Sequence, residues 1–362
     1  MQVPRSALEW SAHATHDFLG GPGRWVVALP TDRVAGFQVL NRARLAAAVG
    51  INDSLVVCGP MPNGTEVHFS VSELIDALAA AFRLSPAPVY LSLVPTELFA
   101  LFNAPITQRE LALSLLARCQ AILVGGAALD PALRDDAIRH GLNLVATYGM
   151  TETSGGCVYD GIPLPGVSVR LAELDADGIG VIEISGPMLA DGYLEVAAQP
   201  PYYYTANDGT RWFRTTDLGR WSPDGKLEVI GRLDDVINTG GVKVHPHLVE
   251  EAVETAWFQV LDQEVQVAVI GLPNSKWGQE VTAVIQPAAS VQITDSQLPQ
   301  IQALIKQQLG PIATPKTIRL ISQLPMLASG KIDRKALITN SPPPLSSDAF
   351  RAEATEYPAS AE

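Results

Sequence analysis

The chain has 362 residues, 47% of them hydrophobic and 17% charged, enough for more than one compact unit around an apolar core, which excludes wholesale disorder and fibrous repeats. Its 38 acidic and 25 basic side chains leave a formal charge of −13, which repels nucleic-acid backbones and anionic lipid. Cys58, Cys119 and Cys157 lie far apart with no CxxC pair, so neither a zinc cage nor a disulfide framework is indicated and a cytoplasmic protein is expected. The N-terminal stretch has no apolar core of signal-peptide length. Every long apolar run is broken well before about 18 residues, so no stable membrane association is expected.

In chain order, β-branched runs alternate with Ala/Leu-rich helical patterns: RWVVALP, VAGFQVLNRARLAAAV, SELIDALAAAFRL, VYLSLVP, AILVGGAAL, PALRDDAIRHG and LNLVATYG. That alternation predicts a large α/β N-terminal domain with buried strands. From about Gly161 to Ile230 short strands with turn signals, such as RWSPDGKLEVIG, predict an attached antiparallel β region. After GRLDDVINTGG the pattern changes again: a helix (HLVEEAVETAWF), two strands, a polar helix (SQLPQIQALIKQQLG) and a last strand (TIRLISQLP). The expected division is therefore residues 1–233, then a small mobile α+β C-terminal domain at 234–338. The Pro/Ser/Ala/Glu-rich stretch 339–362 is expected to be a disordered tail.

Five segments carry chemistry in their residue types. Tyr148-Gly-Met-Thr-Glu-Thr-Ser-Gly-Gly156 follows a strand and offers hydroxyls, one carboxylate and backbone N–H groups without bulk. Such a turn suits a phosphate with its Mg²⁺, Thr151 donating to oxygen and Glu152 supplying a hard ligand; by itself the signal is weak, since such a cluster after a strand is more often an ordinary loop. Gly125-Gly126-Ala127 lets a flat ring approach the carboxyl end of a strand, or makes a tight turn. In Phe213–Gly219 and Gly231–Asp235, Asp217 and Arg232 offer an acceptor and a donor for ribose hydroxyls, or form surface ion pairs. Asp234 sits where composition changes, at a hinge or a plain linker, and Asn238–Gly241 after it reads as a flexible turn. Lys331, just after a glycine in PMLASGKIDR, is placed to meet a negatively charged transition state, or is an exposed turn lysine.

Other features carry less. His245 and His247 lack a third metal ligand nearby, and Cys58 and Cys119 read as small buried hydrophobes. Gly20–Gly23 lacks a following lysine and reads as a turn. The Glu250, Glu251, Glu254 stripe reads as a solvated helix face.

In this order the segments resemble the acyl-adenylate-forming superfamily of acyl- and aryl-CoA synthetases, luciferases and peptide-synthetase adenylation domains. YGMTET is similar to the family's Thr/Glu loop, FRTTDLG to its ribose-binding segment, GRLDDVINTGG to its hinge and PMLASGKIDRKAL to its C-terminal lysine loop. The likeness covers most of residues 1–338. PGRWVVALPTDRVAGFQVL and YGMTETSGGCVYDGIPLPGV further resemble the short o-succinylbenzoate-CoA ligases of menaquinone biosynthesis.

The resemblance implies a two-step reaction with ATP, Mg²⁺ and CoA: an acyl-adenylate forms, and the CoA thiol then displaces AMP. It implies Lys331, Thr151 and Glu152 as catalytic, Glu152 as the Mg²⁺ ligand, and Gly126, Ala127, Tyr148, Asp217 and Arg232 around the nucleotide. Asp234 would be the hinge, Gly240, Gly241 and Lys243 would meet CoA, and Ser154, Gly155, Gly156 and Arg33 would face the acyl group. Partners are expected to be small molecules, with a homodimer left open. Two departures stand out: the family's phosphate loop ending Pro-Lys-Gly would precede Val3–Leu8, so a truncated start is expected, and Arg33 stands where the family commonly has His. Another acyl-CoA ligase, a domain passing its product to a carrier protein, or an impaired adenylate-binding homologue remain alternatives.

Overall fold

The computed structural model describes residues 1–59, 69–84, 86–194, 202–287, 293–294, 296–327 and 332–341. The chain divides into two compact units: Met1–Thr215 with Arg220–Glu228, and Thr216–Gly219 with the residues from Val229 onward.

The first unit contains α1 (Arg5–Phe18), β1 (Arg24–Val27), α2 (Val34–Ala48), β2 (Leu55–Val57), α3 (Val71–Arg83), β3 (Val89–Leu93), α4 (Pro95–Phe102) and α5 (Ile106–Leu116). It continues through β4 (Ala121–Gly125), α6 (Pro131–Arg139), β5 (Leu144–Met150), β6 (Gly155–Tyr159) and β7 (Ile162–Pro163). Among the described residues the main sheet runs β2-β1-β3-β4-β5-β6-β7, parallel from β2 to β5 and antiparallel beyond. The parallel strands are apolar on both faces because helices cover both. Val26, Leu91, Ile122 and Val124 pack with α3 and α5. Trp25, Val27, Tyr90 and Leu123 point the other way, with Ala14 of α1 and Val39 and Ala43 of α2. Burying one such side chain contributes about 1.5–3 kcal/mol. Helix α1 and the pair α4 and α5 are additions to the sequence-predicted elements. The α1 pattern is masked by buried polar residues: Thr15 bonds to Tyr159, and His16 accepts from Trp25 Nε1 at 3.2 Å. Burial pushes His16 down to about 4, so it is neutral in the core.

A second sheet comprises β8 (Ser168–Ala172), β9 (Gly180–Ser185), β10 (Tyr203–Thr205), β11 (Arg211–Trp221) and β12 (Leu227–Arg232). Its order is β10-β11-β9-β8, with β12 beside β11.

The second unit continues with β13 (Ile237–Thr239), β14 (Val242–Val244), α7 (Pro246–Leu261), β15 (Val265–Asn274), β16 (Gly278–Pro287), α8 (Gln297–Ala313), β17 (Thr317–Leu320) and α9 (Arg334–Thr339). Its sheet order is β14-β13-β16-β15, with β17 parallel to β16. Trp257 of α7 packs with Ile301 and Ile305 of α8 over Val267, Val281 and Ala283. Leu337 of α9 covers the other face with Ala268, Ile270 and Val284.

Two expectations are corrected here. Asn238–Gly241 is not a flexible turn but the tip of the tight β13–β14 hairpin: Thr239 pairs with Val242, and Gly240 and Gly241 take φ of 60° and 82°. Two successive positive φ values are what a two-residue turn matching the strand twist requires. Glu250 is not on a solvated face. It is 7% exposed and accepts from Val269 N–H at 2.8 Å and from Arg334 Nη2 at 2.6 Å. Helix α9 extends through Thr339, and the rest of the expected tail from 342 lies outside the described residues.

Candidate active site

The Thr/Glu turn is built at the end of β5. Tyr148 pairs with Val158 and Met150 with Gly155 on β6, and the register shifts between Tyr148 and Gly149. Gly149 must be glycine there: a Cβ would lie 2.1 Å from Gly155 O. Thr151–Thr153 then makes one 3₁₀ turn, and Ser154 reverses the chain in the left-handed region at φ 54°. A non-glycine residue holds that conformation only when its surroundings impose it. Here Ser154 N–H donates to Thr151 O, Ser154 Oγ to Met188 O at 2.7 Å, and Gln38 Nε2 to Ser154 O at 2.6 Å. Thr153 is equally committed, accepting from Met150 N–H and donating to Gly155 O at 2.8 Å.

Thr151 is exposed and Glu152 half-buried. Glu152 O accepts from Ala190 N–H at 2.9 Å, and Oε1 accepts from the Tyr193 hydroxyl at 2.5 Å. Among the described residues Oε2 has no hydrogen-bond partner. Gly126 and Ala127 are exposed just past β4, whose Gly125 pairs with Thr147 of β5, so they stand beside the strand carrying Tyr148. Gly125 also needs its missing side chain, since a Cβ would meet Thr147 Oγ1 at 2.3 Å. The first unit therefore brings Gly126, Ala127, Tyr148, Thr151 and Glu152 to the carboxyl ends of two adjacent parallel strands, where open α/β sheets bind ligands.

Ser154 departs from its expected place facing an acyl group. Its side chain is fully enclosed and fastens the turn through Met188. Gly155 is buried, and a Cβ on Gly156 would press Tyr159 Cε1 at 2.9 Å, so both glycines serve close packing. Arg33 caps the start of α2 with an exposed side chain whose salt-bridge partner is Asp32 at 3.8 Å. The α2 side chain that reaches the turn is Gln38.

In the second unit, Arg232 Nη1 lies 4.0 Å from Asp217 Oδ1, while Nη2 donates to Thr216 Oγ1 at 2.8 Å and lies 3.6 Å from Asp234 Oδ2. Asp217 and Arg232 are thus neighbours, and the exposed Asp234 sits in the 3₁₀ turn that follows. Gly240, Gly241 and Lys243 are exposed at the β13–β14 hairpin. Lys331 lies outside the described residues; the segments flanking it are closed by a Met326–Ile332 bridge and by Asp333 N–H donating to Pro325 O at 2.8 Å. Arg334, three residues beyond Lys331, is held by Glu250. His247 belongs to the same cluster, 3.8 Å from Glu250 Oε2 and 3.3 Å from Glu251 Oε1, and hydrogen bonding to Glu250 raises its pKa. No group of three or more metal-binding side chains occurs among the described residues.

Sequence reasoning missed Gln38, Tyr193 and Arg211. Arg211 Nη2 donates to Ala190 O at 2.7 Å and Asp191 O at 2.9 Å. Each is distant in sequence from what it braces, and none belongs to a Gly-rich or acidic cluster that would draw notice.

Residues 50–194 match the family model of AMP-binding enzymes, and residues 260–331 the model of the AMP-binding enzyme C-terminal domain. The chain is 37% identical over 335 residues to a probable 2-succinylbenzoate–CoA ligase of Mycobacterium tuberculosis, covering 92% of this chain and 78% of that one. It is 30% identical over 330 residues to a feruloyl-CoA synthase of an Amycolatopsis species, covering 84% and 62%. Among solved structures, o-succinylbenzoate CoA synthetase of Bacillus subtilis with its acyl-adenylate intermediate matches with a TM-score of 0.71 at 22% identity, over 93% of this chain and 65% of that one. ATP-bound MatB of Rhodopseudomonas palustris matches at 0.73 and 23%, over 96% and 65%. The chain thus spans about two thirds of the solved structures it matches. With both family models matched and a relative 37% identical over most of its length, the chain belongs to the AMP-binding enzyme family.

Proposed function

We propose that the chain is an AMP-forming acid–thiol ligase that converts o-succinylbenzoate and CoA into o-succinylbenzoyl-CoA at the expense of ATP. The observation that carries the reading is the 37% identity to the mycobacterial relative, in a chain whose Thr/Glu turn is braced and presented at the strand ends. In the first half-reaction the acid's carboxylate oxygen attacks the α-phosphorus and pyrophosphate leaves. In the second the CoA thiol attacks the acyl carbon of the mixed anhydride and AMP leaves.

The first step brings anions together, so positive charge must stand where charge develops. Lys331 is assigned to the attacking carboxylate and α-phosphate, and Thr151 orients phosphate oxygens. Glu152 is the residue that would hold Mg²⁺: its carboxylate and the Thr151 hydroxyl are hard oxygen donors, and Mg²⁺ characteristically uses one or two carboxylates with substrate phosphates and water. Bound there, the ion would neutralise phosphate charge. Tyr148 and the Gly126–Ala127 backbone are assigned to the adenine, and Asp217 with Arg232 to the ribose hydroxyls. Asp234 is the hinge at which the chain reorients between half-reactions, Lys331 serving the first and Gly240, Gly241 and Lys243 the second.

The test is mass spectrometry of the chain incubated with Mg-ATP, CoA and either o-succinylbenzoate or a panel of aryl and fatty acids. AMP and the thioester, formed fastest from o-succinylbenzoate, are expected. A higher kcat/KM with another acid overturns the substrate assignment, and absence of acid-dependent AMP overturns the ligase reading for this chain.

A further inference from the structure

The turn bearing Thr151 and Glu152 is braced by a segment, Met188–Tyr193, that no sequence motif singled out. Three hydrogen bonds join the two: Ser154 Oγ to Met188 O, Ala190 N–H to Glu152 O, and the Tyr193 hydroxyl to Glu152 Oε1. The segment is anchored in turn. Met188, Leu189 and Ala190 are buried, and Arg211 clasps the carbonyls of Ala190 and Asp191 while its guanidinium lies 4.6 Å from the centre of the Tyr203 ring. Tyr193 itself is packed by rings, 6.0 Å from Tyr202 and 6.3 Å from Tyr203, centre to centre. A phenol locked on three sides thus donates to one oxygen of a carboxylate whose other oxygen has no partner among the described residues.

We propose that Tyr193 is a positioning residue for Glu152, holding Oε1 so that Oε2 is presented to a nucleotide-bound divalent cation. The inference rests on the reading of Glu152 as the cation ligand. A glutamate on a surface turn otherwise samples several rotamers, and a fixed outer partner removes that freedom before the cation arrives. A phenol keeps its proton at neutral pH and so remains a donor. Tyr193→Phe deletes the O–H and keeps the ring packing, which separates this role from a purely structural one.

The experiment titrates Mn²⁺ into the chain with α,β-methylene-ATP, a nucleotide that cannot release pyrophosphate, and follows water-proton relaxation for wild type, Tyr193→Phe, Glu152→Gln and the double variant. Expected is a roughly tenfold weaker Mn²⁺ Kd in Tyr193→Phe, a larger loss in Glu152→Gln, and no further loss in the double variant, because Tyr193 acts only through Glu152. An unchanged Kd in Tyr193→Phe beside a weakened Glu152→Gln, or losses that simply add, overturns the positioning role while sparing the metal reading. Wild-type binding matched by Glu152→Gln, or no Mn²⁺ bound by wild type, overturns the metal reading and the positioning role with it.

Discussion

The Thr151–Ser154 turn of the first unit and the Leu233–Asp235 turn of the second are both short 3₁₀ turns bearing acidic residues, yet they are held in opposite ways. In the first, Thr153 and Ser154 are fully buried, and the side chains of Gln38 from α2 and Tyr193 from the 188–193 segment bond to the turn. In the second, no residue is buried, and Asp234 faces Arg232 only at 3.6 Å. A group that must meet developing charge gains from being fixed in advance, whereas a point about which the chain reorients gains from few attachments. That contrast supports the proposed roles, a fixed first turn and a hinge at the second.

The largest expected effect comes from outside both turns. Lys331→Ala should lower acid-dependent pyrophosphate release by several hundred-fold, in the range of losing one transition-state donor, while thioester formation from supplied acyl-adenylate is retained. Equal loss of both half-reactions would break the division of labour. Next, Glu250→Ala should destabilise the second unit by about 1–3 kcal/mol in urea unfolding, because it leaves the buried Val269 N–H unpaired and takes the carboxylate from half-buried Arg334. Asp234→Ala should stay within about 0.5 kcal/mol of wild type, as an exposed, long ion pair contributes little.

Gly149→Ala sharpens the rigid side. Its Cβ meets backbone and not a movable side chain, so a cost of about 1–3 kcal/mol is expected together with weakened nucleotide binding; stability loss with unchanged AMP affinity would separate the bulge from the site.

A further expected effect is on pH. The His247 pKa is raised through hydrogen bonding to Glu250, so its contribution is fully present below the unfolded value of about 6.5 and is lost as pH rises through the higher folded value. Burial pushes Glu250 the other way, but His247, Arg334 and the Val269 N–H outweigh it and leave its pKa lowered, so that contribution is present above about 4.3 and lost in more acidic solution. Thermal unfolding followed from pH 6 to 8 should show the second unit losing stability as pH rises, a slope absent from His247→Gln.

Much of the local pattern was legible in the sequence, though α1, α4, α5 and the β13–β14 hairpin were not. Buried parallel strands show as continuous apolar runs from RWVV to AILV. The Thr/Glu, Asp217, Arg232 and Lys331 segments pointed to adenylate chemistry only together, through their joint resemblance to the acyl-adenylate-forming superfamily; singly, each also read as a loop, an ion pair or an exposed lysine.

What the tertiary structure alone decided is which polar side chains are spent on holding the protein together. Ser154 and Glu152 stand two residues apart in one motif, yet the first is consumed by Met188 and the second is left with a carboxylate oxygen to offer. Glu250 and Glu251 are adjacent on one helix, yet the first is sealed against Val269 and Arg334 while the second is only half-buried beside His247. Neighbours in sequence share composition and periodicity, but burial depends on what distant segments bring to each side, and a hydrogen bond between residues 41 or 84 positions apart leaves no trace in either stretch alone.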